Sequence, residues 1–340
     1  MDQALAQKLT TELIKFRSLS GSEHDAVEFL AELLKNWGWP VELMPVAEGR
    51  SNLFAAFGKP EIVFTTHIDV VPAPDELFVP RVEQGTIYGR GACDAKGVLV
   101  CMLLAMRALL EERQNNFALL VVVGEEENGI GAVTAAQALA GHGIKYLVNG
   151  EPTCAKLIHA HKGGLDLQLD VKGRACHSGY PEQGDDANRR LIEVLGRLQS
   201  ADWGSDPVLG PTTLNIGVFQ GGVAVNVVSP AAQARLMFRT GFDLDGIMNK
   251  VRTLVGDAAE ITYIGDAAPG QMMRLEGFES EVAAFCTDIP NFTPLGARAL
   301  LYGPGSILTA HTDKECISLV EMAQAVSDYQ RIYGILKRSC

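Results

Sequence analysis

Five short stretches of this 340-residue sequence carry side chains suited to holding a cation. His67-Ile68-Asp69 puts an imidazole and a carboxylate two positions apart, on one face of an extended chain. In Gly89-Arg90-Gly91-Ala92-Cys93-Asp94-Ala95-Lys96-Gly97 an acid sits in a glycine-rich loop ahead of an apolar run. A dinucleotide loop is a poor reading of it, because Asp94 stands where the third glycine of G-x-G-x-x-G belongs and a carboxylate repels pyrophosphate. In Gly124-Glu125-Glu126-Glu127 three adjacent carboxylates repel one another, at a cost on the order of kcal/mol unless a cation intervenes. Asn149-Gly150-Glu151-Pro152 adds a fourth acidic site, and Ala310-His311-Thr312, shortly after Gly303-Pro304-Gly305, adds a second imidazole. Any one of these stretches is also an ordinary capped strand end or solvated turn. Together, His67, Asp94, Glu127, Glu151 and His311 each fall at the end of a separate predicted strand or in a strand-to-helix loop. Two imidazoles and three carboxylates suit a pair of borderline cations such as zinc, cobalt or manganese, with one carboxylate bridging.

The elements that must position them follow from periodicity. Leu5, Leu9, Leu13 and Phe16 share one helical face, and Val27, Leu30, Leu34 and Trp37 another; Ser20 with Glu23, or Ser22 with Asp25, would cap the second helix. Strands at 52–57, 62–66, 118–123 and 146–148 then alternate with helices at 95–112 and 131–139, the pattern of an α/β sheet covered on both faces. After Gly163-Gly164 the pattern changes. Leu165, Leu167, Leu169 and Val171 alternate with polar residues, as in a sheet with one wet face. A helix at 187–198, strands at 213–219 and 233–239, a helix at 244–255 and a strand at 260–264 complete a ferredoxin-like β-α-β-β-α-β unit. The sequence therefore predicts a mixed-sheet α/β catalytic domain, residues 1–163 and 273–340, with an α+β domain inserted at 164–272. The returning segment holds a strand at 299–302 and a closing helix after Ser318.

Composition narrows the function. A net charge of −12 with no basic patch disfavours nucleic acid and anionic membrane surfaces. The longest apolar run, Val98 to Met106, is too short for the roughly 20 residues of a membrane span. Met1 to Lys8 lacks the charged start and apolar stretch of a secretory signal, so the cytoplasm is the expected location. Seven scattered cysteines without a C-x-x-C pair fit neither a disulfide framework nor a zinc finger, and most are expected to be buried. No P-loop motif occurs.

The motifs in this order, His67-Ile68-Asp69, Asp94-Ala95-Lys96-Gly97, Glu126-Glu127, Gly150-Glu151-Pro152 and the late His311, resemble the dizinc amidohydrolase and exopeptidase family of acetylornithine deacetylase and succinyl-diaminopimelate desuccinylase. The likeness runs from about residue 5 to 335. It implies that His67, Asp94 and Glu151 hold one metal while Asp94, Glu127 and His311 hold the other, Asp94 bridging. Glu126 would be the general base for the bridging water, and Asp69 would orient His67. His177, in Ala175-Cys176-His177-Ser178, would reach a neighbouring subunit's site and polarise the scissile carbonyl, which implies a homodimer through the inserted domain. Asn226 and Arg239 would face substrate, the latter gripping an α-carboxylate, with Gly303 and Gly305 as further substrate-binding candidates.

Two departures stand out: Glu125 replaces the usual aspartate before the glutamate pair, and Ala95 a frequent methionine. Glutamate at 151, as in the deacylase branch, tilts the expected substrate towards an N-acyl amino acid. The alternatives are a dipeptidase or carboxypeptidase, a desuccinylase, or a non-catalytic relative that binds metal and ligand; the last would be free to lose a ligand, and here all are retained.

Overall fold

The computed structural model describes residues 2–241 and 244–340, which fall into two compact units. The first holds the chain up to His159, Met272–Glu281 and Thr287–Cys340; the second holds Ala160–Gln271 and Val282–Cys286. The chain thus re-enters the second unit at 282–286 before closing the first.

In the first unit, Phe117–Val122 is apolar and buried at every position, as a strand covered on both faces must be. It pairs in parallel with Ile62–His67, which pairs in parallel with Tyr146–Asn149, which pairs in parallel with Arg298–Leu301. Arg50–Phe57 and then Val41–Ala47 extend the sheet antiparallel beyond Phe117–Val122. The register sets His67 opposite Val122 and Thr65 and Leu301 opposite Asn149, so the carboxyl ends of the parallel strands lie along one edge. Open α/β sheets present ligands at that edge.

Helices Gln3–Ile14, His24–Asn36, Lys96–Glu111 and Leu319–Lys337 cover one face around Leu13, Leu30, Phe64, Leu99 and Tyr329. Lys96–Glu111 is apolar around most of its circumference because it is buried between the sheet and other helices. Ile130–Leu139 and the 3₁₀ turn Ile289–Leu295 cover the other face around Val63, Leu120, Ala135 and Phe292. Ser318 and Glu321 form a reciprocal capping box at the start of the closing helix. The cap expected of Ser20 or Ser22 on the second helix is corrected: Glu23 stands at that N-cap without a side-chain cap bond, and Ser20 bonds Asp69 instead. A small sheet of Arg81–Glu83, Thr86–Tyr88 and Cys316–Ser318 had no counterpart in the periodicity.

In the second unit, Gly163–Lys172 buries Leu165, Leu167, Leu169 and Val171 and leaves the residues between them half-buried. The antiparallel sheet runs Thr213–Gly221, Ala231–Thr240, Gly163–Lys172, Glu260–Ala267. Helices Ala187–Ser200 and Leu244–Val255 pack on its apolar face with Trp203 and Phe238, giving the ferredoxin-like β-α-β-β-α-β order. All seven cysteines are free thiols, and only Cys93 and Cys101 are buried, fewer than the sequence suggested. Among the described residues no helix is long and apolar enough to cross a membrane.

Candidate metal centre

His67 closes its strand with the ring wedged between acids. Its Nδ1 lies 3.0 Å from the Asp69 carbonyl and 3.6 Å from Asp69 Oδ1; its Nε2 lies 3.1 Å from Asp94 Oδ1 and 3.8 Å from Glu151 Oε2. His311, in the left-handed region at φ 62°, sets its Nε2 3.2 Å from Asp94 Oδ2 and 3.0 Å from Glu126 Oε1. Asp94 therefore turns one oxygen to each imidazole. Ligand-type atoms of His67, Asp94 and Glu126 all lie within 4.8 Å of one another.

The electrostatics fit a cation. Burial would lower the His67 pKa, but bonds to Asp69, Asp94 and Glu151 outweigh it and hold it well above 6.5. Bonds to Asp94 and Glu126 raise His311 to about 10. Burial works against the Asp94 carboxylate, and the two imidazoles prevail, holding its pKa below the usual range. Burial raises Glu151 to about 7. It also raises Glu125 well above its ordinary value, helped by repulsion from Glu151. Protons here stand in for positive charge that buried carboxylates otherwise lack, and the donor set, imidazole and carboxylate, suits a borderline divalent ion.

In the acidic turn the geometry differs from the register expected of the sequence. Asp69, fully buried, accepts the backbone N–H of Glu125 on Oδ1 at 3.2 Å and that of Glu126 on Oδ2 at 3.1 Å, with the Ser20 hydroxyl also on Oδ2 at 2.7 Å. Gly124, at φ 77°, starts the turn, and its carbonyl accepts the N–H groups of Asn128 and Gly129. So anchored, the turn brings Glu126 to Asp94 and His311, while Glu127, expected in that place, is exposed and its charge acts on Arg50. Glu125, read only as a departure from the family pattern, has its carboxyl near Glu151 and His67. Ser20, expected only as a helix cap, is the other contributor through its bond to Asp69.

Gly303 and Gly305 are buried. A Cβ at Gly303 would sit 2.4 Å from the Glu151 carbonyl, and one at Gly305, φ 80°, 2.5 Å from Cys93 Cβ. Both glycines let this loop close on the Glu151 and Asp94 loops, a packing reason for residues read as substrate-facing. The remaining candidates lie in the second unit. His177 is exposed, its Nδ1 accepting from Gly179 N at 3.1 Å. Asn226 is exposed, and its carbonyl accepts from Ser178 N at 3.0 Å. Arg239 donates to Cys286 Sγ at 2.9 Å.

Known proteins share this organisation. Residues 63–333 match the family described as Peptidase family M20/M25/M40. A Peptidase M20 domain-containing protein of Schizosaccharomyces pombe is 34% identical over 336 residues, covering 95% of this chain and 83% of the relative. A protein of Aspergillus clavatus named probable carboxypeptidase is 32% identical over 355 residues, covering 94% of this chain and 86% of the relative. The crystal structure of an M20 family metallo-carboxypeptidase from Sulfolobus solfataricus shares the fold at a TM-score of 0.80 and 19% identity, over 97% of this chain and 98% of that one. With the family match spanning most of its length, the chain belongs to peptidase family M20/M25/M40 and is a hydrolase of that family.

Proposed function

We propose that the chain hydrolyses the amide bond of an N-acyl amino acid with the help of two divalent cations, zinc as the first choice. The observation that carries this reading is the division of the Asp94 carboxylate between His67 and His311. His67, Asp94 and Glu151 would hold one cation; Asp94, Glu126 and His311 the other. Bound there, such cations supply Lewis acidity and bring the ionisation of water towards neutral pH. The chain's own residues do the rest. Glu125 takes the proton from the attacking water and returns it to the leaving amine, so that the C–N bond breaks to a carboxylic acid and a free amino acid. Asp69 holds the His67 ring and the Glu125-Glu126 backbone in place. By the family resemblance, His177 would polarise the scissile carbonyl in a homodimer built through the second unit, Asn226 would face substrate, and Arg239 would grip the α-carboxylate.

A second reading, a carboxypeptidase or dipeptidase on the same centre, is favoured by the name of the Aspergillus relative. Both readings place an amino acid on the amine side of the bond that is cut. A panel of acetylated and succinylated amino acids, unblocked dipeptides and N-blocked dipeptides, assayed beside metal analysis of the same sample, separates them. Faster cleavage of peptides than of acylated amino acids selects the second reading, and no hydrolysis by metal-loaded protein overturns both.

A further inference from the structure

Behind the Asp94 carboxylate lies a buried ion pair that the mechanism above leaves unused. Arg90 donates through Nη1 to Glu315 Oε2, and their side chains are 4% and 0% exposed. The other oxygen, Glu315 Oε1, accepts the backbone N–H groups of Cys93 at 3.3 Å and Asp94 at 3.2 Å. Glu315 is itself fixed through the main chain: its carbonyl accepts from Gly89 N at 3.1 Å, and the next residue, Cys316, pairs with Tyr88 in the small sheet. Arg90 is anchored by a bond from its N–H to the Leu77 carbonyl at 2.8 Å.

The spacing gives this pair its meaning. Arg90 stands four residues before Asp94, and Glu315 four residues after His311. One ion pair thus ties together the two loops that deliver the shared carboxylate and one of its imidazoles. Stability alone is a weak reason for it, because apolar residues of similar volume often do as well as a buried ion pair or better. A carboxylate that takes two successive main-chain N–H groups does something apolar packing cannot: it fixes the orientation of the peptide that carries Asp94.

We propose that Glu315 is a positioning residue for the metal centre: oriented by Arg90, its carboxylate holds the Cys93-Asp94 peptide so that Asp94 presents one oxygen to each cation site. This rests on the metal-dependent reading above.

The test is a cobalt(II) titration of the chelator-stripped full chain, followed by visible absorption. Glu315→Gln keeps an acceptor for the two N–H groups but sets an amide against Arg90. It should weaken cobalt binding about 10- to 100-fold and alter the ligand-field spectrum. Arg90→Lys, which keeps the charge but loses the planar fork, should shift both readouts the same way by a smaller factor. A folded Glu315→Gln protein with wild-type affinity and spectrum overturns the proposal. If that variant does not fold, Arg90→Lys decides, and wild-type behaviour there overturns it. Failure of the wild-type chain to bind cobalt at all would instead defeat the metal-dependent reading, and this inference with it.

Discussion

The carboxylate of Asp69 accepts the main-chain N–H of Glu126 at 3.1 Å. Because its other oxygen takes the N–H of Glu125 at 3.2 Å, one buried acid decides which of three consecutive glutamates faces Asp94 and His311. The residue that steadies the His67 ring also sets the register of the acidic turn, so the two halves of the centre share a support.

Substitution of the glutamates one at a time should separate their roles. Glu125→Gln is expected to keep wild-type metal content and to lose turnover by about 10²- to 10⁴-fold, the range for removal of a general base. Glu126→Gln should lose metal as well as activity. Glu127→Gln should change both less than about twofold, as expected of an exposed side chain. Metal analysis by mass spectrometry and kcat on the same preparations checks all three. The reverse pattern, metal loss in Glu127→Gln and retention in Glu126→Gln, would restore the register expected from the sequence.

Removal of metal should leave a protein whose stability falls as pH rises. Glu151 is raised from 4.5 to about 7 and His311 from 6.5 to about 10. Each raised group contributes stability that is complete below its unfolded value and is lost as pH rises through its folded value. For Glu151 that loss spans about pH 4.5 to 7, and for His311 about pH 6.5 to 10. Thermal melts of chelated protein should therefore show a falling Tm from pH 5 to 10. Metal-loaded protein should not, since the cations replace those protons, and calorimetry should detect proton release on metal binding.

Gly303→Ala distinguishes packing from substrate contact. A Cβ at 2.4 Å from the Glu151 carbonyl must displace that loop, at a cost of about 1–3 kcal/mol. The expected result is a lower Tm and weaker metal binding. An unchanged Tm with a raised KM would return Gly303 to the substrate pocket.

If His177 serves the site of a partner subunit, two inactive variants should complement each other. Mixed His177→Ala and Glu125→Gln chains, unfolded and refolded together, should recover up to about a quarter of wild-type activity per active-site pair, because random pairing assembles one intact site in the mixed dimer. Recovery no greater than the sum of the separate variants would confine His177 to its own subunit.

The strand ends that gather His67, Glu151 and the acidic turn were legible because parallel buried strands are short apolar runs, and each polar residue that breaks such a run marks an end. The inserted unit was legible from the strict alternation of Leu165, Leu167, Leu169 and Val171. What stayed hidden was tertiary. Nothing local distinguishes Glu126 from Glu127; the hydrogen bonds that Asp69 accepts from the Glu125 and Glu126 N–H groups do. Ser20 has the spacing of a helix cap, and a partner distant in sequence, Asp69, takes its hydroxyl. The three-residue strands at Arg81–Glu83, Thr86–Tyr88 and Cys316–Ser318 are too short to show a period, yet they anchor Glu315 beside the Asp94 loop.

The proposed ligands are drawn from the whole span between His67 and His311, and the parallel strand that precedes His311, Arg298–Leu301, enters the sheet only after the second unit has been traversed. No fragment ending before it can assemble the complete set. In a refolding chain, tight cation uptake should therefore follow docking of Arg298–Leu301, and a nascent chain would acquire its full complement of ions only once His311 had left the ribosome.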